Sequence, residues 1–136
     1  MRAFEARRQI GSLLAACSIV DDPISELLDV LDLRERDDEG FVGLGSGHSG
    51  YGLFGGHLIA QSIVAAYRSV DPERRLHSVH AFFLRGGDGI QNIDYDVETM
   101  RDGRTFCHRR VTGSQNDKTI FDLTASFHTP EVGPGV

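Results

Sequence analysis

Few cysteines, no long hydrophobic run and no surplus of positive charge set the first limits on this 136-residue chain. Cys17 and Cys107 are too few for a disulfide framework, so a reduced, cytoplasmic setting is expected. No apolar stretch approaches the length of a membrane span. The net charge of -6 and pI near 5.4, with basic residues scattered, argue against a nucleic-acid partner. The sharpest absence is local: no Asp or Glu occurs from Gly55 to Val70.

Several motifs are also missing. The six histidines make no metal set, because His77 and His80, the only close pair, fall on opposite faces of a strand. No metal and no cofactor are expected. Gly45-Ser46-Gly47-His48-Ser49-Gly50 matches a dinucleotide-binding pattern, but the following helix starts five residues too late. The same stretch is a near miss for a nucleophile elbow, which makes Ser49 a poor nucleophile. Arg2, Arg7 and Arg8 ahead of residues 10–17 outline a lipoprotein-like signal. The apolar part is short and broken by Gly11 and Ser12, so an ordinary N-terminal helix or a poorly ordered start is expected.

What remains is a single domain with one core, for which a 40% hydrophobic share suffices. Asp22 as N-cap and Pro23 at the first position predict a helix over 24–33, with Ile24, Leu27, Leu28 and Leu31 on its apolar face. The charged run 34–39 reads as a solvated link and 41–44 as a strand. A glycine-rich loop leads to a second, strongly apolar helix that starts at Gly55-Gly56, is expected to be buried, and ends before Asp71-Pro72. Its polar exceptions, His57, Gln61 and Arg68, recur at helical spacing on one side, facing a cleft. The period then changes to two. Strands are predicted over 77–84, 93–99, 106–114 and 119–128, with turns at Asp102-Gly103 and Asn116-Asp117.

Hairpins imply an antiparallel sheet, and one long apolar helix can cover its inner face. The expected class is therefore α+β: a hotdog fold, an antiparallel sheet wrapped around a long central helix. The expected division is an N-terminal helical segment over 1–40, the hotdog domain over 41–129 and a linker-like tail over 130–136. Open sheet edges predict a homodimer or higher homo-oligomer, or pairing with a second hotdog domain.

The candidate site is the tip of the second helix. Gly55 and Gly56 allow close backbone approach, and a helix N-terminus presents free N–H groups and a positive dipole end. That end can hold a carbonyl oxygen or an oxyanion, with Gly56 and His57 as donors and Gln61 as a further contact. Thioester hydrolysis also needs a group that activates water, and this helix carries no carboxylate for it. His77, at the start of the next strand, is either a cleft base or a structural residue.

Three ordered blocks carry a family likeness: residues 54–61 (Phe54-Gly55-Gly56-His57-Leu58-Ile59-Ala60-Gln61), 77–88 and 95–106. With Arg109-Arg110-Val111, Gln115-Asn116 and 124–128, they resemble the N-terminal half of acyl-CoA thioesterase II. The resemblance implies a double-hotdog enzyme that cleaves acyl-CoA to free fatty acid and CoA. It also implies a catalytic Asp, Thr or Ser, and Gln in a second hotdog, so none of the three is assignable here. Two readings follow. The chain is an acyl-CoA thioesterase's N-terminal half or a short homologue working as a dimer, or it is a non-catalytic acyl-CoA-binding or subunit-interface module that needs a partner domain.

Overall fold

The computed structural model describes residues 22–47, 52–131 and 133. The basic start, Cys17, Ser49 and most of the tail lie outside them. Among the described residues eight elements follow in chain order: α1 (Pro23–Leu31), β1 (Arg34–Glu35), β2 (Phe41–Gly43), α2 (Gly55–Tyr67), β3 (Arg75–Phe83), β4 (Ile93–Asp102), β5 (Phe106–Gln115) and β6 (Lys118–His128). The six strands form one antiparallel sheet in the order β1-β2-β4-β5-β6-β3.

The long strands owe their pairing to local chemistry. β4, β5 and β6 follow one another as hairpins. Asn116 and Asp117 turn the second hairpin with φ of 50° and 58°, the left-handed pair a two-residue turn requires. The first closes where the Gly103 N–H donates to the Phe106 carbonyl at 2.9 Å. β3 does not pair with its successor β4. It crosses to the far side of β6 and leaves its other edge open.

Alternation decides the core. Ile93 and Tyr95 of β4, Val111 of β5, and Phe121, Leu123, Ala125 and Phe127 of β6 are fully buried on one face. α2 lies over that face, against β4, β5 and β6. Its fully buried Ala65 and Ala66 have side chains small enough for the helix backbone to approach the sheet closely. Tyr67 caps the packing edge-on against Phe127, with ring centroids 5.0 Å apart.

Three expectations change. α2 is one-sided rather than wholly buried: Leu58, Gln61, Ser62, Ala65 and Ala66 are covered, while Ile59, Ile63 and Val64 are only partly buried. α1 forms with Asp22 as its N-cap, the carboxylate accepting from the Ile24 N–H at 3.2 Å. Its apolar stripe is not packed, however: Ile24, Leu27 and Leu28 are exposed and no residue of α1 is buried. Periodicity gave the stripe; the sheet simply does not reach it.

The run 34–39 is a hairpin rather than a solvated link. β1 pairs with β2, and Arg36 bridges Asp38 and Asp96, the latter at 2.9 Å. The Arg36 guanidinium holds the Asp38 carboxyl below its ordinary value. A carboxylate whose folded pKa is depressed contributes stability above its unfolded pKa and loses it as pH falls through the folded one. Arg36→Gln is therefore expected to destabilise the chain at pH 7 and to be nearly neutral at a pH low enough to protonate Asp38. Urea denaturation of both chains at the two pH values checks this, and an equal effect at both would contradict it.

Candidate functional site

α2 begins without a side-chain cap and without an acidic residue in its first turn. The His57 N–H donates to the Phe54 carbonyl at 2.9 Å, which closes the first turn. The Gly55 and Gly56 amides have no acceptor among the described residues. These two N–H groups, at the positive end of a 13-residue helix, are the donors left for a ligand oxygen. The His57 imidazole is also engaged, its Nε2 2.8 Å from the Leu44 carbonyl.

The polar stripe of α2 faces the chain's own backbone. Gln61 is fully buried. Its amide donates to the Val30 carbonyl at 2.7 Å and the Leu44 carbonyl at 3.0 Å, and its Oε1 accepts from the Tyr95 hydroxyl at 2.8 Å. Both amide hydrogens are spent, so none remains for a ligand. Arg68 continues the stripe, donating to the Leu33 carbonyl and lying over the Phe41 ring. Burial raises the Tyr95 phenol above its ordinary pKa, which keeps it a neutral donor.

Two clefts flank the tip of α2. One, of about 400 Å³, is lined by Gly55, Leu58, Phe83 and the 84–87 turn. The other, of about 370 Å³, lies between α1 and the first turns of α2. The loop before α2 is pinned to the 87–91 turn. Gly52 bridges Asp88, the Leu53 N–H donates to the Gly87 carbonyl at 3.2 Å, and Gly45 sits on the Gly89 and Gln91 carbonyls where no Cβ would fit. Buried Gln115 ties the turn together, accepting from the Asp88 N–H at 2.8 Å and donating to the Asp88 and Gln91 carbonyls.

His77 is not brought to the tip. Phe83, at the other end of β3, is the residue that packs on Gly55, and six strand residues span about 20 Å. His77 is exposed beside Phe106 and His128, at the end of the sheet where the Leu76 N–H meets the Tyr67 hydroxyl. Among the described residues no group of three or more His, Cys, Asp or Glu could hold a metal.

Residues 45–128 match the acyl-CoA thioesterase N-terminal domain. The chain belongs to that family. The acyl-CoA thioesterase 2 of Haemophilus influenzae is 40% identical over 114 residues, covering 84% of this chain and 40% of its own length. Human acyl-coenzyme A thioesterase 8 is 37% identical over 105 residues, covering 77% of this chain and 33% of its own. The solved structure of the Mycobacterium avium subspecies paratuberculosis tesB protein superposes with a TM-score of 0.73 at 37% identity, covering 82% of this chain and 45% of that one. This chain thus spans less than half the length of the relatives it matches.

Of the residues expected at the site, Gly55 and Gly56 keep their amides without an acceptor among the described residues. The His57 N–H and the Gln61 carboxamide, expected as ligand contacts, are spent on the chain itself. Gln115, Tyr95 and the α1 wall were not foreseen. Gln115 stood beside a turn signal, and nothing local distinguishes a surface turn glutamine from a buried clasp. Removing the partner of a buried acceptor costs about 1–3 kcal/mol. Tyr95→Phe is expected to lose that much in denaturant unfolding, because Gln61 Oε1 is left without its donor. Gly43→Ala is expected to be at least as harmful, since its Cβ would overlap the Gln61 carboxamide. Stabilities equal to the parent chain would remove Gln61 from its central place.

Proposed function

We propose that the chain is the N-terminal hotdog half of an acyl-CoA thioesterase and supplies substrate binding and carbonyl polarisation to it. The observation that carries this is the uncapped Gly55-Gly56 tip, set between two clefts on a helix without a carboxylate. In this reading residues 41–129 are the hotdog unit, with the sheet wrapped around α2 as its long central helix. Residues 1–40 form a helical segment before it, and 130–136 a linker. The thioester oxygen would accept from the Gly55 and Gly56 amides, which oppose the negative charge that builds there as water adds and the C–S bond breaks. His57 and Gln61 hold the tip in place through Leu44.

The group that activates water is not on α2, which offers no acid, and His77 is about 20 Å away along β3. The carboxylate that lines the Gly56 cleft, Glu26, belongs to the exposed helix α1. A second hotdog domain, or a second copy of the chain, supplies it. The open β3 edge, where Val79 and Phe82 are exposed, favours such a partner. The physiological setting that fits is cytoplasmic, in keeping with the free, buried Cys107.

Two assays of the purified chain test this: acyl-CoA binding by calorimetry and release of free CoA with a thiol reagent. The expected result is binding without turnover. Gly56→Trp, which puts an indole at the tip, should weaken binding at least tenfold, about 1.4 kcal/mol. Turnover that disappears in the variant would instead mean that copies of this half build a complete site themselves. Folded protein that binds no acyl-CoA would sink the proposal.

A further inference from the structure

We infer that the cleft between α1 and the first turns of α2 takes the acyl chain, with the CoA portion leaving through the opposite cleft past the 84–87 turn. The inference rests on the acyl-CoA reading above and gives the bound molecule a direction. Consecutive residues of the tip open to different spaces: Gly55 lines one cleft and Gly56 the other. A thioester held by these two amides therefore has its two substituents pointed into separate clefts.

The linings differ in chemistry. On the α1 side the described walls are mainly Leu27, Val30, Leu31, Phe54 and Ala60. Of its two polar side chains, the His57 ring is already tied to the Leu44 carbonyl, and Glu26 puts a carboxylate at this cleft, a charge that repels the phosphates of CoA. A volume of about 370 Å³ is more than twice the roughly 150 Å³ that holds a benzene molecule, room enough for a medium-length alkyl chain. The other cleft also has apolar walls, Leu53, Leu58, Phe83 and Leu84, but adds Gly52, Gly86 and Gly87 backbone and the Arg85 guanidinium. One guanidinium nitrogen donates to the Thr119 carbonyl, and the cation suits the phosphates of CoA.

α1 is suited to act as an adjustable wall. Among the described residues, its link to the rest of the chain runs through its C-terminal end. The Val30 carbonyl accepts from Gln61, and Asp32 and the Leu33 carbonyl accept from Arg68. No residue of the helix is buried, so small displacements cost little core packing. An apolar stripe that would otherwise face water gains cover when a chain lies beneath it. Leu27, more than half exposed, is the residue placed to make that contact.

Calorimetric titration of the 136-residue chain with butyryl-CoA and octanoyl-CoA tests the direction. A buried methylene strengthens binding up to about fourfold, so a half-open cleft is expected to favour octanoyl-CoA by roughly tenfold or more. In Ala60→Phe, which fills the cleft, and Leu27→Asp, which charges an exposed wall and spares the core, that preference should vanish. Phe106→Ser, at the far end of the sheet, should keep it. Preference retained in both cleft variants would overturn the inference while leaving acyl-CoA binding intact. Preference lost together with a changed sedimentation mass would mean that the cleft seats another protein copy, which also overturns it. No binding of either thioester by folded protein would remove the underlying reading and this one with it.

Discussion

The buried carboxamide of Gln61 joins four parts of the chain. It reaches back to the end of α1 through Val30, sideways to the end of β2 through Leu44, and down into the sheet through Tyr95. A fully buried amide is costly unless each of its groups is paired, and here both hydrogens and the oxygen are. The arrangement therefore has few alternatives. If α2 slides or rotates, several buried polar groups lose partners at once. Gly43 belongs to the same constraint, because only a residue without a side chain lets β2 pass so close to the amide.

The site depends on that clasp. The Gly55-Gly56 tip is set by the axis of α2, and the axis is set by Gln61 below and by Ala65 and Ala66 against the sheet. The loop leading into the tip is fixed independently, through Gln115 and the 87–91 turn. Two buried glutamines thus hold the two flanks of one helix end. Neither is placed to react. Their effect is to fix the helix end that carries the Gly55 and Gly56 N–H groups, which in the proposed reading polarise a carbonyl without reorganisation.

The missing acid and the partial length agree with each other. In the proposed reading the tip polarises a thioester while α2 itself offers no carboxylate, which makes it half of a hydrolytic site. The relatives that share this segment are more than twice as long as the match. The exposed stripe of α1 and the open edge of β3 both carry exposed apolar residues. In the proposed reading each has an occupant: acyl chain for the first, partner domain for the second.

Much of this was legible in the order of residues. Period-two alternation in 93–99 and 119–127, the turn chemistry of Asn116-Asp117 and the Asp22-Pro23 start are local signals, and each produced the element it announced. The pairing of β3 with β6 was not legible, because strand order in a sheet depends on contacts between segments some forty residues apart. The polar stripe of α2 shows the limit most clearly. Spacing determined that His57, Gln61 and Arg68 share a side, but not whether that side meets a ligand or the chain itself. Tertiary structure decided for the chain: unpaired carbonyls at Val30, Leu33 and Leu44 converge there, and a buried carbonyl takes whatever donor is within reach.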